Sequence, residues 1–473
     1  MAKEVQASEI EENLLECRRL LTRSVTDLPD YSTPEKIKAR YANFIRESHK
    51  AYKEAEWVLI QGILDLENEI RVLKTEKDSV TTKQRIKQLQ YWERLHGLFF
   101  NTFVWLAMGL DRSNVRKVFK GPKYGALADQ NVDSILPYVK EENYNSDNFV
   151  VPLDFCSFAC IADLMKIDFQ PGKAPSIIFI EAKSGKVNEE MLDAIRANDE
   201  ASYFKFFEQY GPKGIKQIER FFRQQFILQK STDLMDTDPG VYEHPLNPDE
   251  KIVIASNETI PETYTSRLID LLEASENRKF AVDEIDNCLV IGIINLIDEK
   301  FALLGDFDLR LFIYNIYINP AALNEPPNPS ELMENFKRIE LMDWREGFGS
   351  VVLQPIAARP IADKLLMDLL MGRKRLMYFF NAERFVQLCN ANGIDARFTT
   401  LKEANRMKSQ GEDKRLIAFN GRFIKVHNQG IEWTLGDGTF HEIFYNWVRP
   451  TSIIAGLDSR NLPIHQSQSK DAV

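Results

Sequence analysis

Apolar residues recur at helical spacing almost without interruption from Glu9 to Leu110, and beyond about residue 125 the pattern turns to strand-like alternation. A chain patterned this way has to place a helical N-terminal region beside a sheet-containing one, because residues three and four apart share a helix face whereas alternate residues share a strand face. Trp57, Ile60, Ile63, Leu64, Leu66 and Ile70 mark one long amphipathic helix, and Ile86, Leu89, Trp92, Leu95 and Phe99 mark the next. The proline breaks are Pro29 and Pro34. The charged stretch ENEIRVLKTEKD fits a coiled-coil hairpin, a dimer arm, or packing onto the same chain. The longest apolar run, Leu98 to Leu110, is interrupted by Asn101 and Thr102 and falls short of the ~20 residues that cross a bilayer, so it reads as a buried helix. His96 lies in this apolar helix and reads as a core residue, not a base.

Past residue 125 the expected order is a helix around Asn131–Glu142, three strands (VVPLDFCSFAC, IADLMKIDF and SIIFIEAK), a long helical stretch from Asn188 to Lys230, and the strand CLVIGIIN. At 473 residues the chain exceeds one hydrophobic core. The expected division is a helical region over 1–125, an α/β core over 126–320, an α+β C-terminal domain over 330–460 and a flexible tail over 461–473. The C-terminal domain is expected to contain a helix at Ile361–Leu370 and a β-rich segment, LIAFNGRFIKVHNQGIEWTLGDGTF.

The acidic start, MAKEVQASEIEENLL, lacks the basic and apolar regions of a signal peptide, and the five scattered cysteines suit reduced thiols. The expectation is a cytoplasmic protein with no membrane partner. Cys156 and Cys160 form the one close pair, read as buried small residues. A net charge of −10 argues against whole-surface polyanion binding, so any nucleic-acid contact must use local basic patches. Two patches qualify. DRSNVRKVFKGPK carries Arg112, Arg116, Lys117, Lys120 and Lys123 and suits either a phosphate backbone or a solvated helix face. In KGIKQIERFFRQQF, Lys213, Lys216, Arg220 and Arg223 recur at near-helical spacing, while Phe221, Phe222 and Phe226 are expected to pack against the sheet. The six histidines form no HExxH pair, and GxxxxGK[ST] and GxGxxG are absent, which excludes the common zinc-protease, P-loop and dinucleotide signatures.

The chemistry concentrates at the end of SIIFIEAK, an apolar strand closing in two opposite charges, Glu181 and Lys183, on one face. Buried ions are costly unless paired or metal-bound. If the hairpin is centred on Gly172, Asp163 on the preceding strand falls opposite Glu181. Two carboxylates placed so repel, and a divalent cation relieves the repulsion. Mg²⁺, with Mn²⁺ as substitute, accepts such oxygen ligands, with the Ala182 carbonyl as a further one. Lys183 would position the attacking water or stabilise negative charge on a scissile phosphate.

These residues resemble the PD-(D/E)XK nuclease superfamily, with Asp163 at its strand-two acid and Glu181-Ala182-Lys183 at its (D/E)XK tripeptide, over about residues 125–300. The wider stretch, DFCSFACIADLM and IEAKSGKVNEE, is similar to a group of uncharacterised bacterial proteins. The resemblance implies an α/β restriction-endonuclease-like mixed sheet core and Mg²⁺-dependent hydrolysis of nucleic acid, with DNA preferred. Anti-phage defence is a setting by analogy alone. It also implies an acid on the first core helix, for which Glu141 and Glu142 are candidates, and an assisting Gln217 or Lys216 on the helix after the motif. Ala162 stands where the superfamily often has Pro. A homo-oligomer or a partner protein is compatible with this reading. The alternatives are a surface ion pair at a strand end, and a catalytically inactive nuclease-like scaffold or sensor that recruits a partner.

Overall fold

The computed structural model describes residues 4–26, 34–76, 79–110, 114–115, 132–145, 147–156, 162–170, 176–181, 186–235, 240–244, 247–254, 261–276, 278, 280–296, 339–345, 353–411, 416–428 and 431–458. They form a mixed α/β protein of helices and small antiparallel sheets. Two compact units emerge: residues 1–254 with 355–359, and residues 255–354 with 360–473.

In the first unit α1 (Ala7–Thr26) packs on α2 (Pro34–Thr75), and α2 on α3 (Val80–Ala107). Of the packings open to α2, association within the chain is the one observed. Ser79 starts α3 by accepting the Thr82 N–H at 3.0 Å, satisfying one of the donors that every helix N-terminus leaves over. Ile60, Ile63, Leu66 and Ile70 are buried, as are Leu89, Trp92, Leu95 and Phe99. Trp57 departs from that stripe: it is exposed, with the Lys140 ammonium 5.4 Å from its ring centroid. His96 is fully buried, as expected of a core residue, and its Nδ1 donates to the Trp92 carbonyl at 2.9 Å.

Next come α4 (Val132–Asn145), β1 (Phe149–Pro152), β2 (Leu164–Asp168) and β3 (Ser176–Ile180), then α5 (Lys186–Ala197) and α6 (Glu200–Met235). The three strands form one antiparallel sheet in the order β1-β2-β3. Strand alternation gives it two different faces. Val150, Leu164 and Ile180 pack against Ile135 and Val139 of α4. On the opposite face, the Phe149 ring lies 5.4 Å from Phe103 of α3 and 5.8 Å from Tyr52 of α2. The sheet is therefore sandwiched between α4 and the α2–α3 pair. This shared core is why no boundary falls near residue 125, where the change of periodicity suggested one.

The expected order of helix, three strands and helix is present, but two features differ from the expectation. β3 is not a buried strand: its residues alternate between exposed and half-buried, Ile178 reaches 44% exposure, and β3 is the sheet's edge among the described residues. The expected fourth strand of the core lies in the second unit instead. CLVIGIIN supplies β7 (Leu289–Asn295), and residue 320 lies outside the described residues. Before that, the first unit closes with a separate hairpin of β4 (Gly240–His244) and β5 (Asn247–Ile254).

The second unit is built on a four-stranded antiparallel sheet, β6-β7-β9-β8, made of β6 (Phe280–Ile285), β7 (Leu289–Asn295), β8 (Ile339–Asp343) and β9 (Lys374–Asn381). β7 and β9 are buried along nearly their whole length and pair over seven positions. Two strands apolar on both faces satisfy each other better than either would at an exposed edge. α7 (Thr265–Ala274), α8 (Asp363–Leu370) and α9 (Ala382–Ala391) accompany this sheet. The expected β-rich segment forms β11 (Ile424–Asn428) and β12 (Ile431–Thr434), which join β10 (Asp395–Phe398). α10 (Leu401–Ser409), α11 (Asp437–Tyr445) and α12 (Pro450–Asp458) complete the unit. The expected tail lies outside the described residues, as does most of the basic run from Asp111 to Lys123. Cys17, Cys156, Cys288 and Cys389 are buried free thiols. No helix among the described residues is long and apolar enough to cross a membrane.

Candidate functional site

The register of the β2–β3 hairpin decides where the acidic residues fall. Asp168 faces Ser176, Ile167 faces Ile177, and the ladder ends with Leu164 facing Ile180, so every pair is equidistant from residue 172. Asp163 and Glu181 immediately flank that last pair. Both are half-buried, and the observed ladder stops one residue short of them. Alternation assigns them to the Met165 and Phe179 face, away from α4. The Asp163 carbonyl accepts the Leu153 N–H at 2.9 Å, which continues the β1–β2 ladder and fixes the backbone beneath the carboxylate. Ala182 and Lys183 lie outside the described residues.

The other residues implied by the resemblance are not gathered here. Glu142, at the C-terminal end of α4, forms an ion pair of 2.9 Å with Lys166. Lys166 shares the Leu164 face, so this carboxylate is engaged on the side opposite Asp163. The same contact lifts the Lys166 ammonium above its ordinary value. Glu141 is exposed. Gln217 projects from α6, not from the helix that directly follows the motif, and its amide donates to Asn188 in the first turn of α5 at 2.6 Å. Lys216 is exposed. Among the described residues, no three His, Cys, Asp or Glu side chains are grouped so as to hold a metal. Asp163 and Glu181, which flank the last pair of the hairpin, carry hard-oxygen donors of the kind that Mg²⁺ or Mn²⁺ accepts.

A second polar constellation in this unit escaped the sequence reading. Glu56 of α2 is fully buried, and its Oε2 accepts the Asn143 amide at 2.8 Å. Asn143 in turn clasps β1: its Oδ1 accepts the Val150 N–H at 2.8 Å and its Nδ2 donates to the Val150 carbonyl at 3.1 Å. Burial pushes the Glu56 carboxyl well above the usual carboxylate range, against the pull of the Lys53 ammonium and the Asn143 hydrogen bond. His49, two turns earlier, donates from Nδ1 to the Asp147 carbonyl at 2.7 Å, and burial lowers its imidazole. The only signal was a Glu in the same helical row as Leu59, Ile63 and Tyr52, where apolar neighbours mask a buried acid.

Comparison with known protein families, curated proteins and solved structures finds no match to this chain.

Proposed function

We propose that the chain is a metal-dependent nuclease of the PD-(D/E)XK kind, hydrolysing phosphodiester bonds of nucleic acid. The observation that carries this reading is the hairpin register, which sets Asp163 and Glu181 beside the same terminal pair, Leu164 and Ile180. Asp163, Glu181 and the Ala182 carbonyl would hold Mg²⁺, which when bound supplies Lewis-acid stabilisation of the phosphate and a more acidic water. The carboxylates fix the position at which the phosphate is received. The β1–β2 ladder holds Asp163 in place through the Leu153 hydrogen bond. Lys183, two residues after Glu181 in the sequence, would orient the attacking water and offset negative charge on the phosphate. α5 and α6 follow the motif, and the Asn188–Gln217 contact ties α6 to the entrance of α5.

One observation favours a second reading, a nuclease-like scaffold without activity: the Gln217 amide, expected to assist catalysis, is engaged by Asn188. Cleavage separates the two. Purified protein is incubated with supercoiled plasmid and with single strands in Mg²⁺ or Mn²⁺, beside Asp163→Ala and Lys183→Ala. Metal-dependent cutting that both folded variants lose supports the nuclease. Identical behaviour of all three proteins, in the presence of either metal, removes it and leaves the scaffold.

A further inference from the structure

α6 contains a break that sets its second half apart. Gly211 takes φ 56° and ψ −142°, a backbone conformation open chiefly to glycine, and Pro212 follows. Proline lacks the N–H that a first-turn residue would leave unused, so the helix restarts cleanly behind the kink. From there the helix carries three rows. Gly214 and Ile218 are buried and Phe221 half-buried; Ile218 and Phe221 belong to the core formed with Met191 and Ala194 of α5. Lys213, Lys216, Arg220 and Arg223, spaced three, four and three residues apart, form an exposed cationic row about 15 Å long. Between these rows runs a third, with Ile215 46% exposed, Phe222 51% and Phe226 60%.

The expectation that these phenylalanines cover the sheet therefore holds for none of them: Phe221 packs within the α5–α6 pair, and the other two rings face outward. A helix with no further role would not place large rings in water beside four cations on a chain of net charge −10.

We infer that the second half of α6 is a binding face for unpaired nucleic acid, the cationic row following the phosphates while Phe222 and Phe226 stack on bases. This rests on the nuclease reading and gives its substrate as single-stranded. A duplex offers phosphates to the cations but keeps its base faces stacked and out of reach of the rings, whereas every base of a single strand exposes a π-face. Gln217, next to Lys216 in the chain, bonds Asn188 at the end of α5 by which the chain arrives from Glu181. An anionic membrane would match the cations equally well. Glu219, however, sits between Ile215 and Phe222 in the apolar row, and burying it among acyl chains is costly, while between stacked bases it stays solvated.

The test is fluorescence anisotropy in EDTA, which separates binding from cleavage, using the full chain with labelled oligodeoxythymidine and a duplex of equal length. The expected result is tighter binding of the single strand. Phe222→Ala with Phe226→Ala should weaken it about 5- to 150-fold per stacked base and leave duplex affinity unchanged. Lys216→Ala with Arg220→Ala should flatten the slope of log affinity against log salt by about 0.7 per charge removed. All four positions are exposed, and circular dichroism with thermal unfolding controls for folding.

Equal affinity for both ligands with no effect of the phenylalanine pair overturns the inference. So does binding to phosphatidylserine vesicles, lost in the same variants, without binding to oligonucleotide. The two proposals fail separately. If wild type cuts single strands and the α6 variants cut them with unchanged KM, the nuclease stands and the α6 face falls. If α6 binds single strands but neither metal supports cutting, the binding face stands and the nuclease falls.

Discussion

Replacing Glu56 by Gln isolates the energetics of a single buried carboxyl. Glu56 is fully buried, its Oε2 accepts from Asn143, and its Oε1 has no hydrogen-bond partner. Gln has the same shape and imitates the protonated acid, so the two proteins should be equally stable where Glu56 is protonated in both folded and unfolded states. The folded-state pKa is raised above the unfolded value near 4.5. Below the unfolded pKa the carboxyl therefore costs nothing. Above it the unfolded state gives up a proton that the folded state retains, and wild type loses stability as pH rises until the folded pKa is passed. The slope is at most about 1.4 kcal/mol per pH unit, so Glu56→Gln should gain on wild type as pH rises from 4.5 until the folded pKa is passed. The assay is urea denaturation of both proteins across this range, with the difference at each pH cancelling every other titrating group. The pH at which the difference levels off reads the folded pKa directly. A difference that is flat with pH, or one that favours Glu at pH 6.5, would show that Glu56 is ionised in the fold and held by Lys53, and the reasoning would be refuted.

Three further outcomes are expected. In the second unit, Asp286 accepts the Thr451 N–H at 3.0 Å, the Thr451 hydroxyl at 2.8 Å and the Arg449 guanidinium, and caps α12 from the β6–β7 turn. Asp286→Ala should cost about 1–3 kcal/mol, read as a lowered urea midpoint, because it removes the acceptor of the Thr451 N–H and hydroxyl and of Arg449; a loss under about 0.5 kcal/mol, the size of an ordinary surface substitution, would deny the clamp. Burial raises the Asp286 carboxyl, but the Arg449 and Thr451 hydrogen bonds outweigh this and lower it overall. Its contribution is thus complete above the usual carboxylate pKa and fades as pH falls through the depressed value, so the wild-type advantage over Asp286→Asn should shrink in acid. Gly62→Ala places a Cβ 2.5 Å from His96 Nε2 and 2.8 Å from Cδ2 inside the α2–α3 packing. It should lower the thermal midpoint by an amount equivalent to about 1–3 kcal/mol despite alanine's better helix propensity, and a raised midpoint would show that the ring moves aside freely.

The sequence reading succeeded where local rules decide the outcome. A hairpin centred on Gly172 followed from turn residues between two apolar runs, and the observed ladder has that centre. The α2 and α3 rows followed from period alone, except at Trp57, which is exposed beside Lys140. His96 was placed correctly in the core, but its close approach to Gly62 depends on two helices meeting, which no single helix row contains. The hydrogen bond of Gln217 to Asn188 likewise depends on how α6 leaves α5 and kinks at Gly211.

The misplaced strand shows where such reading stops and why. CLVIGIIN follows the motif at the distance of a closing fourth strand, and its apolar run suits any sheet that can cover both of its faces. Nothing within the run distinguishes β3 from β9 as a partner. The choice lies in the partners: β3 is half-exposed and ends in charges, whereas the interior of β9, Leu376 to Phe380, is an uninterrupted buried run. Pairing β7 with β9 joins two runs that both need cover, while pairing it with β3 would set a fully apolar strand against a half-solvated edge. The consequence reaches function. With β7 committed elsewhere, the sheet that carries the Asp163–Glu181 end of the hairpin consists, among the described residues, of β1, β2 and β3, so its positioning depends on how firmly β1 is held. Asn143, with three hydrogen bonds joining Glu56 to both backbone groups of Val150, is the residue that holds it.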